Sequence, residues 1–337
     1  MRTTIRRGLA AVATAGVMTI ALAACSSGAG TTDTGSSGPK TIAFVSASMG
    51  VNYWQWVSEG VKNRAGELGM KFVSYDSNND QAKQLTNVKT AISAGASAIV
   101  LAPVSSASAA PVLALAKEKN IPVSFAAIGP TQDQKNYVSA VTADNEATGV
   151  AQGKFICDAA KKRGSNKVGM LSIPQDRENA QKYLAGAEQS FASDGCDLVQ
   201  VIQSKILTLG EAVGLANDLL TAHPDITGIY AMYDEAGTAS AQVLSERGLT
   251  DKVAIAATDG SPTTVKLVRG GKIQALFLQE ALGQGYDATS QLGKALDNQP
   301  TSQAIALKQP MLTPGNIDTS ALQDALKRIY PASAGAY

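Results

Sequence analysis

Short apolar runs rich in β-branched residues punctuate this chain at regular intervals. They are TIAFVS from residue 41, KFVSYD from 71, SAIVLAP from 97, IPVSFA from 121, KVGMLS from 167, ITGIYAM from 226, KVAIAAT from 252 and KIQALFL from 272. Segments of helical length separate them, such as YWQWVSEGVKNRAGELG and NDQAKQLTNVKTAISAG, each with 3.6-residue periodicity and a glycine near its end. Strand and helix alternating in this way predict parallel sheets covered on both faces, the α/β class. The order strand, small polar loop, Ala-rich helix, strand occurs at SAIVLAPVSSASAAPVLALAKEKNIPVSFAAIG and again at TGIYAMYDEAGTASAQVLSERGLTDKVAIAATDG. Two doubly wound domains of similar build fit this echo better than one large sheet.

Open α/β sheets bind ligands beyond the carboxyl ends of their strands. The segments that follow the runs are therefore the candidates: MGVNYW, APVSS, AAIGP, IPQDREN, MYDEAG, TDGSP and QE.

The N-terminus has a different character. Arg2, Arg6 and Arg7 precede an apolar run from Leu9 to Ala23, too short for a spanning helix of roughly 20 residues but suited to an export signal. The end of that run, Leu22-Ala23-Ala24-Cys25, resembles the lipobox of bacterial lipoproteins, which implies cleavage after residue 24 and an acylated Cys25 as the membrane anchor. Residues 25–39, rich in Ser, Gly and Thr, then read as a flexible tether. Cleavage leaves 313 of the 337 residues, enough for two domains, and removes three of 29 basic residues against 28 acidic ones. A net charge near −2 argues against nucleic acid as a partner. Cys157 and Cys196 are an even pair in an oxidising compartment, compatible with a disulfide and equally with two buried small hydrophobes.

Catalytic and cofactor chemistry finds little support. The chain has one histidine, His223, at a helix end, so neither a zinc site nor a Ser-His-Asp triad is expected. GQGYDA from Gly283 fits a dinucleotide pattern in form but lacks the tight turn before it and the acid that should follow, and no P-loop is present. No cofactor and no metal are expected, and the chain is read as a non-enzyme.

From about Lys40 to Leu307 the sequence resembles the periplasmic-type sugar-binding proteins of ABC importers, most of all the ribose-binding group. The resemblance is carried by YDSNNDQAKQLTNV, NIPV, TADNEATGVAQG, LLTAHPDITGIYAMYDE, TDGSP and GKIQALFLQ in that order. It implies the type I fold, two Rossmann-like domains joined by a three-crossover hinge. Residues 40–143 with 280–308 would form one domain and 144–279 with 309–337 the other, after a signal peptide over 1–24 and a tether over 25–39. It implies capture of a sugar or polyol by hinge closure, delivery to a permease with its ATPase, and a monomer anchored outside the cytoplasmic membrane. A receptor subunit for a sensor kinase or chemoreceptor is the alternative.

The resemblance also names residues. Tyr53 and Trp54 stand where the family places stacking aromatics, Asp259 where it has a ligand carboxylate and Gln279 where it has a ligand amide. Asp259 could instead cap the helix that begins near Ser261 to Thr263. Asp234 matches an acid that orients neighbours, Asn145 joins the ligand set, and Trp56 reads as packing. Departures are as informative. Ala127 and Ile128 replace an Asp-Arg pair, Gln181 aligns with a ligand-facing Arg for which Arg177 and Asn179 could substitute, and Tyr233 replaces an Asn. The lost charged partners make ribose itself an unlikely fit and point to a changed ligand.

Overall fold

The computed structural model describes residues 38–330. The export signal, Cys25 and nearly all of the tether lie outside the described residues.

The first sheet takes its strands from the start of the chain: β1 (Thr41–Ser46), β2 (Lys71–Asp76), β3 (Ala98–Leu101), β4 (Val123–Ala126) and β5 (Ser139–Ala143). Helices α1 (Asn52–Glu67), α2 (Gln81–Ser93) and α3 (Ala109–Glu118) connect them. After β5 the chain crosses into α4 (Asn145–Lys161), and the second sheet follows with β6 (Lys167–Ser172), β7 (Asp197–Gln203), β8 (Gly228–Ala231), β9 (Ala254–Asp259) and β10 (Ala275–Leu278). Its connecting helices are α5 (Glu178–Asp194), α6 (Leu209–Ala222), α7 (Asp234–Glu246) and α8 (Pro262–Arg269). The chain then returns through α9 (Ala281–Leu296) to β11 (Ala304–Leu307), and crosses once more to β12 (Met311–Leu312) and α10 (Ser320–Ile329).

Each sheet has six strands, in the orders β11-β5-β4-β3-β1-β2 and β12-β10-β9-β8-β6-β7. All neighbours are parallel except β10 and β12. This is the α/β architecture of two doubly wound parallel sheets that the alternation predicts. Winding reverses between β1 and β3 in one sheet and between β6 and β8 in the other. The chain passes between the sheets three times: at Asp144, at Gln279–Glu280 and at Lys308–Pro310.

Inner strands such as β3, β4, β8, β9 and β10 are buried along their whole length, which explains their unbroken apolar runs. Four strands do not stand out in the sequence, and the reason differs. Edge strands β7 and β11 are largely half-exposed and carry polar residues, β5 is written in Ser, Ala and Thr, and β12 has two residues.

Glycines let α1 and α9 approach closely. A Cβ on Gly60 of α1 would lie 2.0 Å from the Leu282 carbonyl oxygen of α9, and one on Gly285 would lie 2.1 Å from that of Val57. Thus GQGYDA is a stretch of α9 whose Gly285 meets the backbone of α1, and not a phosphate loop. This contact fixes α1, which carries Tyr53 and Trp54.

Cys157 in α4 and Cys196 at the end of α5 are joined by a disulfide across a sequence separation of 39 residues. Of the two readings left open by the sequence, the structure takes the covalent one. Closing a loop of that size removes conformational entropy from the unfolded chain, so the Cys157→Ala/Cys196→Ala variant should lose about 2–4 kcal/mol in denaturant unfolding. Equal midpoints for the oxidised wild type and the variant would contradict this.

Candidate functional site

The C-terminal ends of strands from both sheets converge on one cleft. Val51, Tyr53 and Trp54 enter it from the start of α1, Ile173 from the end of β6, Met232 and Tyr233 from the end of β8, and Asp259 and Gln279 from the ends of β9 and β10. Arg177 and Asn179 at the start of α5, Leu207 before α6 and Glu235 in the first turn of α7 complete a cavity of about 40 Å³.

A directed run of hydrogen bonds crosses this cleft. The Tyr53 hydroxyl is 2.9 Å from Gln279 Oε1 and also contacts the amide of Gln284 in α9. Gln279 Nε2 donates to the Tyr183 hydroxyl at 3.0 Å, and Tyr183 donates to Gln309 Oε1 at 2.8 Å. One hydroxyl proton cannot serve two carbonyl oxygens. With the Gln284 nitrogen, otherwise buried without a partner, donating to Tyr53, the Tyr53 proton is free to go to Gln279. The run Gln284, Tyr53, Gln279, Tyr183, Gln309 thereby links α1 and α9 to α5 and to two of the three crossings. Tyr53 stands edge-on to the buried Trp54, ring centroids 4.9 Å apart, while Trp56 packs against Tyr330 at 4.5 Å, the packing role expected for it.

On the other side Arg177 clasps the cleft. Its Nε donates to the Val104 carbonyl at 3.0 Å and its terminal nitrogen to Asn79 Oδ1 at 3.2 Å, both in loops of the first sheet. Burial lowers its pKa to about 10, offset in part by Asp176, so it remains a cation at neutral pH. Beside it the Ser106 hydroxyl accepts the Glu178 N–H at 2.8 Å.

Three acids gather at the N-terminus of α7. Asp259, with backbone φ +80°, accepts the Asp234 N–H on Oδ2 at 3.0 Å, so it faces the positive end of α7. The helix after β9 is capped by Ser261 instead, whose hydroxyl accepts the Thr264 N–H. Asp234 turns away from the cavity and holds the Ser261 N–H at 2.9 Å and the Thr264 hydroxyl, an orienting role. Burial first, and then the charges of Asp234 and Glu235, hold the Asp259 carboxyl well above the usual range. Burial and Asp234 push Glu235 up to about 7.

Of the residues singled out from the sequence, Tyr53, Trp54, Asp259, Gln279, Tyr233 and Asn179 line the cavity. Ala127 is buried at the end of β4 with φ +70°, its N–H on the Val141 carbonyl, and Ile128 beside it is fully buried; neither reaches the cavity. Asn145, buried at the start of α4, does not line it either. Gln181 is exposed, its Nε2 bonded to the Gln175 carbonyl at 2.9 Å, and belongs to a separate groove with Tyr137, Thr142 and Glu146. Arg177 is the extended residue that precedes α5, whereas Gln181 is within its first turn. Sequence reasoning missed Glu235, although it stands beside Asp234 in the MYDE stretch, and it missed Val51, Ile173, Leu207 and Met232. All but Leu207 sit just past a strand or in the helix turn that follows it, which is the signal that could have found them.

The model of the periplasmic binding protein domain family matches residues 42–300. The chain belongs to that family. Its members bind ligands rather than convert them. Among its relatives, the ribose import binding protein of Haemophilus influenzae is 29% identical over 241 residues, covering 71% of this chain and 80% of that protein. The xylitol-binding protein of Mycolicibacterium smegmatis is 26% identical over 316 residues, 93% of this chain and 87% of that one. In structure, a carbohydrate transporter solute binding protein from Agrobacterium radiobacter, solved with D-arabinose, superposes with a TM-score of 0.79 at 21% identity, over 86% of this chain and 99% of its own.

The acid cluster sets a pH dependence. A carboxyl with a raised folded pKa keeps its proton longer in the folded than in the unfolded chain, so stability falls as pH rises from the ordinary value of 4.5 to about 7 for Glu235. Asp259 and Asp234, the acids facing it, shift in the same direction. Carboxyls held below their ordinary values, such as Asp225 and Glu211, act only at lower pH. The protein without ligand should melt at a higher temperature at about pH 5.5 than at about pH 8, and Glu235→Gln should reduce the difference. A melting temperature that rises over this window would contradict the placement of the acids.

Proposed function

We propose that this protein is the extracytoplasmic solute-binding subunit of an ABC importer for a sugar or polyol. The observation that carries the reading is the convergence of Tyr53, Trp54, Asp259 and Gln279 on one cleft between two sheets. Such a ligand offers apolar C–H faces to the rings and hydroxyls to the carboxylate and the amide, and a carboxylate accepts in charge-assisted bonds. The names of the relatives, ribose and xylitol among them, support the ligand class.

In this reading residues 40–143 with 280–308 and residues 144–279 with 309–337 act as two lobes. They swing about the crossings at Asp144, Gln279–Glu280 and Lys308–Pro310, shut on the ligand, and present a closed surface to the permease. Gln279 contributes to the hinge and the site alike, and Arg177 holds the opposite rim. A lipid on Cys25 keeps the protein, as a monomer, at the outer face of the membrane, with 26–39 as its tether. Among the described residues no helix is long and apolar enough to cross a membrane.

Two experiments test this. In a thermal-shift and calorimetric screen of pentoses, hexoses and polyols, a small subset should bind, and Asp259→Ala should weaken those by about a hundredfold, the cost of losing two charge-assisted hydrogen bonds. Unchanged affinity would remove Asp259 from the site. Expressed in a bacterial host that processes lipoproteins, the full chain should sediment with membranes and Cys25→Ser should be released; membrane association of the variant would refute the anchor.

A further inference from the structure

The cavity holds two carboxyl groups that no cation among the described residues pairs. Asp259 and Glu235 both line it, and Asp259 is only 5% exposed. Among the described residues neither carboxylate takes part in an ion pair. Asp259 Oδ2 accepts one backbone N–H, and Oδ1 accepts no hydrogen bond from the described residues. Arg177, the one cation among the lining residues, sends its guanidinium to Val104 and Asn79 across the rim.

The walls around these acids point the same way. Tyr53, Trp54 and Tyr233 supply three aromatic rings to the same cavity. Tyr233 is 3% exposed, and its hydroxyl lies toward Ser204 without making a well-formed hydrogen bond. Aromatic faces attract cations, most strongly where water is excluded. A neutral polyol would hydrogen-bond to the acids yet supply no counter-charge, so their ionisation in this partly buried place would stay costly, whereas a cation seated between them would hold them ionised.

We infer that the ligand carries a protonated amine on its sugar or polyol frame, seated between Glu235, Asp259 and the rings of Trp54 and Tyr233. This rests on the sugar or polyol reading above and narrows it. The ammonium supplies the missing positive charge and donates to Asp259 Oδ1 and to Glu235. The hydroxyls on the rest of the frame are left for Asn179 and for the amide of Gln279.

The test is calorimetry of the full chain with matched pairs that differ in one group: glucosamine against glucose, galactosamine against galactose, and 1-amino-1-deoxysorbitol against sorbitol. At neutral pH at least one amine should bind about tenfold or more tightly than its hydroxyl partner, a difference of about 1.4 kcal/mol. Glu235→Gln should erase most of that preference without lowering the melting temperature, because it removes a carboxyl whose ionised form its surroundings disfavour. Neutral members that bind as well as or better than their amines would overturn the inference and leave the sugar reading standing. Failure of every member of the panel would count against both.

Discussion

The geometry of this protein depends on a largely buried run of polar groups that hydrogen-bond to one another. Gln284, Tyr53, Gln279, Tyr183 and Gln309 belong to five different places in the chain and make a single directed sequence of donors and acceptors. Each unsatisfied member would cost about 1–3 kcal/mol, so the run has one low-energy arrangement. That arrangement holds α1 and α9 of one sheet against α5 and two crossings of the other. The site is therefore built at the place where the chain passes between its halves. In the proposed reading, a ligand that engages Tyr53 or Gln279 competes for the same hydrogen bonds that link the two sheets.

Around this run the two sheets supply a rigid frame. Parallel strands buried on both faces leave only their carboxyl ends free for chemistry, and the reversal of winding in each sheet opens a crevice there. The α7 N-terminus gives the crevice its electrostatic character. Its backbone dipole and the Asp234 N–H tolerate Asp259, Asp234 and Glu235 within one small volume, at the cost of raised carboxyl pKa values. The disulfide and the glycine contacts of α1 with α9 hold the helices that carry the aromatic side chains and the Arg177 clasp.

Much of this is written in the sequence, and the parts that are not have physical reasons. Inner strands announce themselves as unbroken apolar runs, so the fold and the strand-end residues Tyr53, Trp54, Asp259 and Gln279 are legible from pattern and family resemblance together. Edge strands such as β7 and β11 lose the signal because water covers part of them. Helix rotation is harder still. Whether Asp234 or Glu235 faces the cavity turns on about 100° of rotation within the first turn of α7, and the same ambiguity separates Asn179 from Gln181. Ala127 and Asn145 carry a different lesson. The family resemblance names both, but the alanine lies outside the cavity and the asparagine is buried beside a crossing, its side-chain nitrogen without a partner. Leu207 reaches the cavity because Ser204 and Glu211 pin its loop through their side chains, in a backbone conformation at φ +58° that no local pattern foretells.

The central claim is that the crevice between the strand ends, and not the groove that carries Gln181, is the place of recognition. The most direct measurement is a crystal structure of the protein with a sugar or polyol that binds it. The account predicts ligand oxygen or nitrogen atoms within hydrogen-bonding distance of Asp259 and Gln279 and a carbon face against Trp54. A ligand seated beside Gln181, Glu146 and Thr142, with Asp259 untouched, would contradict it.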